Sequence, residues 1–102
     1  MAKQTFSVYM LAFQSVEVVR PVEVDLPSGC EVEDLLDLVY HNGQNEVQPV
    51  PGCCSVSVGD VVEVVPLVDY FVVEPGGFKR LDYREFCRYC REMSSREFAR
   101  GR

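Results

Sequence analysis

Basic side chains are nearly missing from the first three-quarters of this 102-residue chain. Residues 1–78 hold two bases against twelve acids, a balance of −10, whereas residues 79–102 hold eight bases and four acids, a balance of +4; together they give −6. An acidic body repels phosphate and argues against a DNA-binding sheet face. No apolar run approaches the ~20 residues that a membrane helix needs. The opening MAKQTF lacks the apolar stretch of a secretory leader, so a cytoplasmic protein is expected. No Gly-Lys-Ser/Thr signature follows a strand, so Gly59 and Gly76-Gly77 read as turns rather than a phosphate cradle. His41 is the only histidine, and no serine or cysteine beside it in sequence forms a nucleophile–base dyad. It reads as a partner for the C-terminal dipole of a helix. No enzyme activity and no cofactor are expected.

Five cysteines are present, an odd number without a secretion signal, which points to reduced thiols. Cys87 and Cys90 form a Cys-x-x-Cys. A structural zinc site needs four ligands, and the other candidates, the adjacent Cys53 and Cys54 with His41, make a poor second pair. The two thiols also fall among Phe86 and Met93, where small buried hydrophobes belong. No metal is expected, and Glu31, Glu33, Asp34 and Asp37 read as a solvated helix face.

What is present is enough for one domain with a single modest core: 47% of the residues are hydrophobic. The organising stretch is Ser55–Phe78, SVSVGDVVEVVPLVDYFVVEPGGF, where Val61–Val65 and Tyr70–Val73 carry the β-branched and aromatic residues of strands. Both faces of Val61–Val65 are apolar except at Glu63, which places it inside a sheet. Before it, Thr5–Phe13 and Val16–Leu26 alternate as strands, the second at an edge or bulged because Pro21 has no N–H. Ser28 with Glu31 resembles a capping box opening a helix over Glu31–Tyr40, stopped at Asn42-Gly43. Gly43–Cys54 is the longest loop. Asp82 with Glu85 repeats the box, and Tyr83, Phe86, Cys87, Cys90 and Met93 form one stripe of a helix over Tyr83–Met93 that frays at Ser94-Ser95. Arg84, Arg88 and Arg91 lie on its adjoining flank.

The expected fold is α+β: a β-grasp-like ββαββ arrangement of four strands in a mixed sheet, with an added C-terminal amphipathic helix, over residues 1–93, and a loose basic tail over 94–102. Two resemblances bear on function. SVSVGDVVEV, then DYFVVEPGGFKRL and Phe86, resembles the YodL-like domain of bacterial mobile elements and phages. The family's strand and Gly-Phe positions map onto Ser57, Val58, Asp60, Val61 and Val62, onto Tyr70–Val73, and onto Gly77 and Phe78. EVEDLLDLVY resembles the family's helix and TFSVYMLA its opening strand, so the match spans residues 5–86. Gly59 and Glu74-Pro75 depart from the family pattern. This resemblance implies no activity; it implies an accessory protein in a bacterial host's cytoplasm that binds and modulates a host or element protein. At the level of fold, VDLPSGCEVEDLL followed by VGDVVEVVP is similar to ubiquitin-like proteins and sulfur carriers, which implies an alternative in which the chain is processed after Gly77.

Charge segregation points to two protein-binding surfaces, an acidic one at Glu31, Asp34 and Asp37 and a basic one at Arg84, Arg88 and Arg91. A second alternative is a nucleic-acid module using the basic helix, disfavoured because Tyr89 is the only stacking aromatic among those arginines. A homo-oligomer is left open, and no membrane association is expected.

Overall fold

The computed structural model describes residues 2–15, 17–64 and 69–100, with side chains described from residue 3 to residue 94 within those ranges. In chain order the elements are β1 (Ala2–Tyr9), β2 (Val19–Leu26), α1 (Val32–Asn42), β3 (Val61–Val64), β4 (Asp69–Glu74), β5 (Gly77–Leu81) and α2 (Tyr83–Arg100). Among the described residues the strands form one sheet in the order β2-β1-β3-β4-β5.

Alternation decides which helix lies on which side of that sheet. Phe71 and Val73 of β4, with Val62 and Val64 of β3, face one side and bury Leu36 and Val39 of α1. Tyr70 and Val72, with Val61, face the other and pack against Phe86 and Met93 of α2. The valine-dense β3 is therefore central and covered on both faces, as its apolar pattern, interrupted only at Glu63, predicts. On β2 the alternation is strict, with Arg20, Val22 and Val24 buried and Val19, Pro21, Glu23 and Asp25 exposed.

Two expectations about the sheet are corrected. Among the described residues it has five strands rather than four, and every neighbouring pair runs antiparallel rather than mixed. The missed strand is β5. Pro75-Gly76 forms a two-residue turn in which Gly76 takes φ +83°, so Gly77 opens a strand paired with Glu74 instead of ending one. Its two large apolar residues, Phe78 and Leu81, are three apart and face opposite sides of the sheet, so no period-two signal survives. β2 and β3 run the same way on either side of β1, and α1 crosses the face between them.

Local signals were met unevenly. At α2 the capping box forms: the Glu85 N–H donates to Asp82 Oδ1 at 2.8 Å, and the Asp82 N–H donates to Glu85 Oε1 at 3.1 Å. At α1 it does not; Glu31 is itself the N-cap and makes no side-chain cap bond. α2 continues to Arg100, past the expected fraying at Ser94-Ser95. Tyr83, expected in the apolar stripe, is 63% exposed. Val65 and the Pro66–Val68 link lie outside the described residues.

The long connection after α1 is held by polar side chains. Arg20, fully buried, donates from Nη1 to Asn45 Oδ1 and to the Cys54 carbonyl, both at 2.7 Å, and from Nη2 to the Gln48 carbonyl. Asn45 Nδ2 donates to the Cys53 carbonyl at 2.8 Å, and Gln14 Oε1 accepts from the Cys54 N–H at 3.1 Å.

Candidate functional site

A groove runs between α1 and the tip of the β4–β5 hairpin. One hollow, of about 260 Å³, is lined by Asp37, Tyr40, Val58, Glu74 and Phe78 among others. A second, of about 210 Å³, shares Asp37, Gly76, Gly77 and Phe78 and adds Glu33, Leu36 and Phe71. Helical spacing explains the α1 wall: Glu33, Asp37 and Tyr40 are three and four residues apart and share a face, while Leu36 turns down into the core. The opposite wall exists because Gly76 closes the turn and brings Phe78 back alongside Val73. Tyr40 and Val58 stand 37% and 48% exposed on the rim. The lining of the two hollows contains three carboxylates, Glu33, Asp37 and Glu74, and no basic side chain. Chemically this is an apolar floor with an anionic border, suited to an apolar body carrying positive charge.

Of the six residues singled out by charge, Asp37 alone lines this groove. Glu31 and Asp34 are exposed elsewhere on or beside α1, and Arg84, Arg88 and Arg91 are exposed on α2, across the sheet. The acidic and basic surfaces therefore do not meet in one site. The sequence alone does not mark Tyr40, Val58 and Phe78 as site residues, because the β4–β5 hairpin that borders them carries little strand signal; Glu33, which reads as part of a solvated face, lines the second hollow.

Under α2, Glu63 is flanked by two tyrosines. Tyr9 Oη donates to Glu63 Oε2 at 3.4 Å, and Tyr70 lies directly opposite Glu63 in the β3–β4 register. Burial and the negative charge of Glu63 push the Tyr70 phenol up to about 12, and the same two causes raise Tyr9. Phe86 stacks on Tyr70 with ring centroids 4.0 Å apart, and meets Tyr9 edge-on at 5.0 Å. Phenols raised by burial and a neighbouring carboxylate stay neutral at physiological pH, which suits packing beneath a helix.

Asp60 is 1% exposed. Its Oδ1 accepts the Ala12 N–H at 2.9 Å and its Oδ2 accepts the Ser57 N–H at 2.8 Å. Burial raises its pKa, while these backbone donors oppose the rise. The carboxylate thus ties the turn after β1 to the approach to β3.

The five cysteines are free and half-buried. Burial raises the Cys54 and Cys90 thiols, which keeps them protonated and weakly nucleophilic. Among the described residues, no group of three His, Cys, Asp or Glu side chains is placed to hold a metal ion, and no helix is long and apolar enough to cross a membrane. No protein-family model, curated protein or solved structure matches this chain.

Proposed function

We propose that the chain is a non-enzymatic protein-interaction domain that binds another protein through the groove between α1 and the β4–β5 hairpin. The observation carrying this reading is the pairing of exposed apolar side chains, Tyr40 and Val58, with three carboxylates around one concavity. Apolar surface left open and ringed by polar groups is what a partner covers. The resemblance of Ser55–Phe78 to the YodL-like domain supports a phage or mobile-element accessory protein that acts on a host or element protein in a bacterial cytoplasm.

A carrier processed after Gly77 is the weaker reading. Gly76-Gly77 lie in a closed hairpin, and a cut there would strip β4 of its β5 partner and remove α2.

The test is affinity capture from host-cell lysate with three baits: wild type, Glu33→Lys/Asp37→Lys, and Arg84→Glu/Arg88→Glu/Arg91→Glu. At least one protein identified by mass spectrometry is expected with the first and third baits and lost with the second. Recovery of the same proteins in the same amounts by all three baits overturns the groove as the binding surface.

A further inference from the structure

The two edges of the sheet are treated differently. At β2, the Glu23 N–H donates to Gln48 Oε1 at 3.0 Å, and Gln48 Nε2 donates to the Glu23 carbonyl at 2.6 Å. One side-chain amide thus occupies both strand-pairing groups of Glu23. Alternation puts Pro21 on the same outward row, where it has no N–H to offer. Both are devices that stop an edge strand from recruiting another chain.

β5 has neither device: its edge charges are Lys79 and Arg80, the second paired with Asp69 at 2.9 Å, and its backbone groups are left open. The Val73 N–H and carbonyl point toward β3, bonding Asp60 and Gly59 at 2.8 Å each. Val72 and Glu74 must then turn toward β5, so their partners Lys79 and Gly77 turn inward and Phe78 and Arg80 turn their backbone groups outward. Among the described residues nothing pairs with that row. The side chain of Phe78 faces α1, where it floors the groove beneath Glu33 and Asp37.

Building on the interaction reading, we infer that β5 accepts an extended segment of a partner protein as a sixth strand, and that this segment carries Lys or Arg on its α1-facing side. A strand laid along β5 sits about 4.8 Å away, which sets its α1-facing side chains beside Phe78. There an aliphatic stem covers the ring and its cationic end meets Glu33 and Asp37. Backbone pairing supplies affinity, and the carboxylates select a basic sequence. The −6 balance of the whole chain, with Glu33, Asp37 and Glu74 lining the groove, favours the same sign of partner. A second copy of this chain is the rival occupant, since β5 itself presents Arg80 on the α1 side.

The probe is a fluorescein-labelled peptide of alternating Lys and Val, read by anisotropy at low salt. Its counterparts carry Glu in place of Lys, or N-methyl groups on alternate amides. The protein forms are wild type, Arg80→Pro, Arg80→Ala and Glu33→Lys/Asp37→Lys. Proline at position 80 removes an outward N–H without touching the β4 ladder, as Pro21 does on β2, and unchanged circular dichroism confirms that it folds. The Lys peptide is expected to bind wild type, and to bind Arg80→Ala at least as tightly, because the strand's backbone groups stay while a like charge leaves and Asp69 is freed. Loss of strand hydrogen bonds should weaken it about tenfold in Arg80→Pro. The N-methylated and Glu peptides should lose binding on wild type itself, so the result does not depend on any variant. Equal binding of the N-methylated or Glu peptide overturns the inference, as does no binding of the Lys peptide at about 1 mM, a concentration that detects even millimolar affinity. A dimer in sedimentation that Arg80→Pro dissolves identifies the second copy as occupant and overturns the cationic segment. In each of these cases a groove-dependent partner in the capture experiment leaves the interaction reading standing.

Discussion

Arg20 carries a positive charge into the core side of β2 and finds oxygen atoms of the loop rather than a carboxylate among its hydrogen-bond partners. Its guanidinium spans three acceptors on Asn45, Gln48 and Cys54, a reach that a single ammonium cannot match. Arg20→Met keeps much of the volume but leaves buried carbonyls unpaired, and a loss of about 3 kcal/mol in urea unfolding is expected. Arg20→Lys should fall between it and wild type. This anchor was illegible in the sequence: one arginine in an alternating strand looks like any solvated charge until the loop closes over it. Gly43 is a second residue fixed by approach rather than by backbone angle. A Cβ there would lie 2.4 Å from Val56 Cγ2 and 3.0 Å from the Val39 carbonyl. Gly43→Ala is therefore expected to cost about 1–3 kcal/mol through overpacking, measured as a lowered urea midpoint with unchanged slope.

Elements with strong periodicity were legible, and their partnerships were not. The valine-dense β3 announces a central position, and the Phe86/Met93 spacing announces a buried helix face, yet neither says that α1 and α2 take opposite sides. That outcome depends on the parity of β4, which sends Tyr70 and Val72 one way and Phe71 and Val73 the other. β5 stayed hidden because a five-residue strand with two exposed charges and a glycine start carries almost no β signature. The groove stayed hidden with it. The α2 contact is tested through pH. The neutral Tyr70 phenol is favoured in the folded protein, raised from 10 to about 12, so its contribution is complete below pH 10 and is lost as pH rises toward about 12. Urea midpoints should therefore decline across that alkaline window, and Tyr9→Phe/Tyr70→Phe should flatten the decline. Phenolate absorbance should show a late-titrating fraction in wild type that the double variant lacks. Phe86→Ala removes the ring stacked on Tyr70, and about 3 kcal/mol of stability should go with it.

At the scale of the molecule, the sheet separates two kinds of surface. The α1 side carries the acidic groove, and the α2 side carries Arg84, Arg88 and Arg91. The part of the chain after Gly77 is the part that makes this layering complete, because it supplies both the fifth strand and the whole second helical layer. Truncation to residues 1–77 would leave the β5-facing row of β4 unpaired and uncover Val61, Tyr70 and Val72, all under 8% exposed in the intact chain. Several large side chains returned to water at roughly 1.5–3 kcal/mol each exceed the net stability of a typical small domain. The truncated chain is therefore expected to lose its cooperative thermal transition and its dispersed amide spectrum, where the intact chain keeps both. A carrier released at Gly77 needs the reverse: a body of 77 residues that melts as sharply, and at the same temperature, as the full chain. Thermal circular dichroism on the two lengths separates these outcomes without knowledge of any partner.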